Sequence, residues 1–173
     1  WDLERKHLEQ VAKRGGSWID VGDVLDLMGG KWDPRHSKGE VREEYAMAPD
    51  YLDAVVRGAA EFYAPYTRHL VVMGRGNHEQ SILKRHETDC IERLCAHMSQ
   101  SSGHRAHAGG YGGFVLQHQG RRIYHAGDSA YFDGFKAIGE RCAPEVALLP
   151  IGDGLTLALG LPDALGLALA LGD

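Results

Sequence analysis

Two short segments combine residue types that do chemistry: Gly22-Asp23-Val24-Leu25-Asp26 and Gly76-Asn77-His78-Glu79. Each follows an apolar, strand-like run, Ser17-Trp18-Ile19-Asp20-Val21 before the first and His69-Leu70-Val71-Val72-Met73 before the second. In open α/β folds, loops at the carboxyl ends of strands are where ligands bind. A carboxylate on one loop and an Asn-His pair on another are what a hard divalent cation and an acid/base group require. The combination points to a metal-dependent hydrolase.

The elements that must position these residues are legible as periodicities. Leu3, His7, Leu8, Val11 and Ala12 fall at helical spacing, and Gly15-Gly16 ends that helix. Residues 29–49, with Gly29-Gly30, Asp33-Pro34, Gly39 and Pro49 among many charges, read as a long loop. Asp50 is placed to cap a helix striped by Leu52, Val55, Val56, Ala59 and Tyr63, with Asp53 near its positive end. A further helix is predicted over about 80–98, then a Ser/Gly/His-rich connection over 99–113. Phe114–Gln117 and Arg122–His125 flank Gln119-Gly120 as a hairpin. Gly127-Asp128-Ser129, a helix near 133–142 and a strand at 146–149 follow. Alternating helices and strands predict an α/β fold. Residues 154–173 are Leu, Gly and Ala with few charges, and read as a low-complexity tail.

Bulk numbers set bounds. At 173 residues the chain is one domain by length, with 43% hydrophobic and 25% charged residues, as in ordinary globular proteins. A net charge of −5 gives no general reason to expect nucleic acid, although cations gather between Lys31 and Arg42, where phosphate could be met. Three cysteines, an odd count without C-x-x-C, argue against a disulfide framework or zinc ribbon. They read as small core residues in a reducing, cytoplasmic setting. No signal peptide is visible at the N-terminus, and the apolar tail is too broken by Pro162-Asp163 and glycines to span a membrane.

Residues 17–117 resemble calcineurin-like metallophosphoesterases of a phage and bacterial type. The resemblance rests on Gly22–Met28, Asp33-Pro34-Arg35, Tyr51-Leu52-Asp53, Gly76–Glu79, Lys84–Asp89 and Gly109–Gly113. It implies two divalent ions (Mn, Fe, Mg or Zn), with Asp23 bridging both and Asn77 binding one. His78 would meet the phosphoryl group or protonate the leaving oxygen, and Asp26 and Glu79 would support the ligands from behind. Two cations about 4 Å apart lower the pKa of a bound water and clamp both oxygens of an in-line displacement. The implied substrate is a phosphomonoester or phosphodiester. The family's D-x-H on its first strand and its terminal G-H-x-H have no counterpart here, so the expected dinuclear site is incomplete. His104, His107 and His118 read as solvated loop histidines.

From Gly120 the resemblance changes. Arg122–Ser129, Tyr131–Phe135, Ile138–Arg141 and Leu148–Gly152 are similar to metallo-β-lactamase-fold hydrolases, in the branch of ascorbate-6-phosphate lactonase and N-acylphosphatidylethanolamine phospholipase D. That resemblance implies a metal-bridging role for Asp128, although Asp128 reads equally as a turn or cap residue, and His125 as a packed strand histidine. Its H-x-H-x-D-H cluster is absent. Both families are layered α/β/β/α sandwiches, so the expected architecture is an incomplete sandwich of that kind. The expected divisions are a phosphoesterase-like segment over 1–117, a lactamase-like strand-helix-strand segment over 118–153, and the tail. Three readings stand: a phosphoesterase-like hydrolase, a hydrolase of a lactone or phospholipid-like ester, and a non-catalytic or artificial chimera of the two.

Overall fold

The structure, a computed structural model, describes residues 1–25, 27, 42–127 and 134–149. The chain divides into two compact units, Trp1–Tyr111 and a second from Gly112 onward.

The first unit opens with α1 (Asp2–Lys13), whose acidic first turn and Lys13 in the last turn complement the helix dipole. β1 (Trp18–Asp20) follows. After α2 (Glu43–Ala46), a short helix inside the segment expected as a loop, comes α3 (Tyr51–Tyr63). Asp50 precedes α3 but does not cap it through its side chain. Its carboxylate instead pairs with Arg57 one helical face along, at 2.7 Å. A 3-10 turn at Ala64–His69, with Pro65 in its first positions, leads into β2 (Leu70–Arg75).

The single helix expected over 80–98 is two: α4 (Asn77–His86) and α5 (Cys90–Ser102). Two local events break it. Glu87 takes a left-handed conformation (φ 53°) and ends α4. Asp89 then caps α5, its carboxylate accepting from the N–H groups of Ile91 (3.1 Å) and Glu92 (3.0 Å). The connection expected over 99–113 contains the tail of α5 and a strand, β3 (Ala108–Tyr111).

β1, β2 and β3 form a parallel sheet with β2 in the centre. Parallel neighbours need long crossovers, and α3 and α5 supply them. Their apolar stripes meet in one core: Val56, Ala59, Ala60 and Tyr63 from α3, Cys90, Ile91, Leu94 and Met98 from α5, with Met73 of β2. Each fully buried aliphatic side chain there contributes about 1.5–3 kcal/mol.

The second unit is built on the hairpin β4 (Phe114–His118) and β5 (Arg121–His125), paired from Phe114↔His125 to His118↔Arg121. Positive φ at both Gln119 (50°) and Gly120 (82°) gives the turn the twist a two-residue hairpin needs. His118 thus ends a strand and does not sit in a loop. α6 (Gly134–Cys142) carries the chain to β6 (Val146–Leu148), parallel to β5. Tyr124, Ala126 and Phe135 form a small core joined by Ile138, Ala147 and Leu149. Tyr124 and Phe135 meet edge to face at 6.1 Å. The register sets Leu116, Ile123 and Val146 in one row on the opposite face, with Phe114, His125 and Leu148 in the next.

The α/β class expected from the alternation of elements is the class found, with helices on parallel and mixed sheets.

Candidate functional site

The two motifs meet. β1 and β2 are neighbours, so the turn after Asp20 and the start of α4 after Arg75 lie side by side. The approach is close because both turns use glycine: a Cβ on Gly22 would sit 2.5 Å from Gly76 Cα, and one on Gly76 would collide with the Asp23 carboxylate and backbone. Gly22 (φ 125°) and Asp23 (φ 59°) both lie in the left-handed region, which Asp tolerates better than most residues.

Glu79 is the hub. It is 1% exposed, and its carboxylate accepts from the N–H groups of Leu25 (2.8 Å), Gly76 (2.9 Å) and Asp23 (3.1 Å). The Gly76 bond is half of a capping box, with Glu79 at the third position of α4. Glycine has no side chain to complete it. Asp23 instead supplies a side-chain cap from the other loop: its Oδ1 accepts from the N–H of His78, the second residue of α4, at 3.0 Å. A carboxylate at a helix N-terminus also gains from the dipole. Asp23 therefore caps a helix that starts more than fifty residues later in the chain.

Asp20, just behind, was not singled out by the sequence. Burial pushes its carboxyl up to about 7, assisted by the negative charges of Glu79, Glu4 and Asp23 and opposed by the N–H of Gly22, which it accepts at 2.9 Å. The signal for it was the Asp-Val-Gly-Asp spacing at the strand's end. The Glu4 carboxylate beside it accepts from the Tyr63 hydroxyl. Arg75 leaves β2 to pair with Asp89. Burial alone would raise the Asp89 carboxyl, but Arg75 and the two capped N–H groups hold it below its ordinary value.

Asn77 and His78 occupy the first turn of α4, Asn77 exposed and His78 half-buried. The structure thus brings Asp23, Asn77, His78 and Glu79 together. Asp26 and Asp128 lie outside the described residues. Up to Gly127 the chain is held: His125 Nδ1 accepts from the N–H of Gly127 at 3.0 Å, and Ala126 donates to the Leu148 carbonyl at 2.9 Å, which fixes this stretch to β5 and β6. His104, His107 and His118 are exposed.

Asp23 and Asn77 offer oxygen donors of the kind hard cations take. However, among the described residues no three His, Cys, Asp or Glu side chains converge to hold an ion. These residues alone do not make a dinuclear centre. Cys90 and Cys95 are buried and free, their thiols pushed up to about 11 chiefly by burial, which suits core residues. No helix among the described residues is long and apolar enough to cross a membrane.

Comparison with known proteins supports the lactamase-like side of the sequence reading. A family profile for the beta-lactamase superfamily domain matches residues 39–157, reaching well upstream of the 120–152 stretch that carried the resemblance. A UPF0173 metal-dependent hydrolase of Methanosarcina barkeri is 46% identical over 59 residues, 34% of this chain and 26% of that protein. One from Thermoplasma acidophilum is 45% identical over 64 residues, 37% of this chain and 27% of its own. One from Shouchella clausii is 50% identical over 46 residues, 27% and 20% respectively. The chain spans about a quarter of the length of the curated relatives it matches. No solved structure matches. Since the profile covers more than half of it, the chain belongs to the beta-lactamase superfamily domain family.

Proposed function

We propose that this protein is a metal-dependent hydrolase acting on a lactone or phospholipid-like ester, with two divalent ions as cofactors and Asp128 among their ligands. The observation that carries this is the family match over 39–157, together with relatives named metal-dependent hydrolases. The fixed approach to the Gly-Asp turn, through His125 and the β6 carbonyl, adds to it, because a ligand-bearing turn must be held still. The test is hydrolysis of a lactone series with Mn or Zn added. Turnover should be abolished by chelation and should fall roughly 10–100-fold or more in Asp128→Ala, while Asp23→Ala retains it. Equal loss in both variants, or chelator-resistant turnover, would count against the proposal.

A second reading is favoured by one specific observation: the bonding that places Asp23, Asn77 and His78 on adjoining loop ends. In this reading the substrate is a phosphate ester, Asp23 and Asn77 are metal ligands, and His78 serves the leaving oxygen, with Asp26 and Glu79 behind them. Metal-dependent hydrolysis of p-nitrophenyl phosphate or its bis-ester, lost in His78→Ala and Asp23→Asn, would favour it. Asp23→Asn keeps an oxygen for the His78 N–H, so its loss would report chemistry and not folding. Calorimetric titration with Mn bears on both readings: no binding at millimolar metal would sink each of them.

A further inference from the structure

A cleft of about 380 Å³ opens in the first unit between the 3-10 turn and the end of α5. Ala64, Pro65 and Arg68 line it from the turn, and Ser101, Ser102 and His104 from the helix end. Its volume lies in the range of pockets that take small molecules. The sheet of this unit is parallel, and the 3-10 turn and residues 103–107 come immediately before β2 and β3. The cleft therefore lies by the amino ends of these strands, whereas the Asp23 and Asn77 loops follow the carboxyl ends of β1 and β2. It is a second place, apart from the candidate site.

Local bonding fixes both walls. Thr67 Oγ1 donates to the Tyr63 carbonyl (3.3 Å) and Trp18 Nε1 to the Tyr66 carbonyl (3.1 Å), which hold the turn. Gly103 ends α5 in the left-handed region (φ 71°), and Ser102 Oγ accepts from the His104 N–H at 3.1 Å. Ser99 Oγ accepts from the Ala106 N–H at 2.9 Å and ties the loop back to the helix. A cleft held in this way loses little freedom on binding. Its chemistry is one-sided. No Asp or Glu lines it, and among the described residues no ion pair engages Arg68. The carboxyl end of α5 favours a cation beside it, a reason for Arg68 to stay at the cleft without an acid partner. Arg68, Ser101 and His104 are exposed, so their N–H and O–H groups are open to a ligand. A guanidinium fork beside hydroxyl and imidazole donors matches an oxyanion, and phosphate has three acceptor oxygens to use donors from both walls. Ala64 and Pro65 add apolar surface for a carbon chain, which a bare anion would leave uncovered. We propose that the cleft binds a small organic phosphate, with Arg68 as the main contact to the phosphate group and Ser101 and His104 beside it.

The test is amide NMR of the metal-free full chain, titrated with glucose 6-phosphate, inorganic phosphate and glucose. Glucose 6-phosphate should shift the amides of Arg68, Gly103 and His104 saturably, inorganic phosphate should shift the same amides at higher concentration, and glucose should shift none. Arg68→Gln alters an exposed side chain and leaves the core intact, so the rest of the spectrum should stay in place. Affinity for the sugar phosphate should fall at least about tenfold in this variant, as loss of a charge-assisted bond requires. Asp23→Asn, at the other end of the sheet, should leave that affinity unchanged. No saturable shift with glucose 6-phosphate would overturn the proposal. So would equal affinity in Arg68→Gln, or shifts confined to Asn77 and His78, which would place the anion at the candidate site. Inorganic phosphate binding as tightly as the sugar phosphate would overturn the organic class and leave a site for the free anion.

Discussion

Glu79 is itself buried and accepts from three backbone N–H groups, those of Leu25 and Gly76 buried and that of Asp23 part-buried, so its removal leaves all three without their acceptor. Each unsatisfied group costs about 1–3 kcal/mol. Glu79→Ala should therefore destabilise the first unit by roughly 3 kcal/mol or more, measured by urea titration; a loss below about 1 kcal/mol would contradict the hub role. Asp20 gives a pH signature. Its folded value of about 7 lies above the ordinary 3.8, so folding favours the neutral acid. Stability from this group is fully present below about pH 4 and is lost as pH rises through 7. The drop is at most about 4 kcal/mol. Asp20→Asn keeps an acceptor for Gly22 and should flatten the profile, with its gain over the parent growing from pH 4.5 to pH 8 in denaturant midpoints. Sequence reading singled out Asp23, Asn77, His78 and Glu79 because their types and strand-end positions were visible. It assigned Glu79 a supporting role in general terms, but not the three N–H groups, because which backbone donors converge depends on two turns touching. Asp20 was missed because burial is a tertiary property.

The break between α4 and α5 depends on two residues, and each can be tested. Glu87 spends about 1–2 kcal/mol on a left-handed conformation that glycine adopts freely. Glu87→Gly should raise the melting temperature. Asp89 both caps α5 and pairs with Arg75, whose side chain is 17% exposed. Asp89→Ala should cost about 2 kcal/mol, and Asp89→Asn less, since Asn caps as well but leaves Arg75 without its anion. The helix pattern over 80–98 concealed this break, because Leu83, Cys90, Ile91 and Leu94 keep an apolar face across it. The signal was present in Thr88-Asp89, a capping pair read as part of the helix interior. β3 was hidden in a similar way: Ala108-Gly-Gly-Tyr111 lacks β-branched residues and forms a strand only because Met73 and Arg75 of β2 lie beside it.

Over the whole molecule the two units differ in what holds them. The first has a continuous core from α1 through α5, whereas the second rests on Tyr124, Ala126 and Phe135 with three half-buried neighbours. Native-state hydrogen exchange should protect α3 and α5 most and β4–β6 less. Phe135→Ala, costing about 3–5 kcal/mol, should open the second unit while α3 and α5 keep their protection; simultaneous loss would show one cooperative body. The α/β class and the family were legible from the order of elements and the text around Gly127. The change of resemblance divided the sequence at 117/118; the compact units change over at 111/112.

The pairing of strands also orders events in time. The first unit's sheet joins Trp18 to Leu70 and Met73 to Ala108, so each of its ladders forms only after a long stretch of chain has closed. The β4–β5 ladder closes over two residues, on the microsecond scale of hairpins. During synthesis the first motif is made before the second, and Asp23 has no helix to cap until α4 emerges and β2 has aligned beside β1. The helix-capping bond from Asp23 to His78 thus cannot precede β1–β2 pairing, and a ribosome-stalled chain ending before residue 70 would carry the first motif without its geometry.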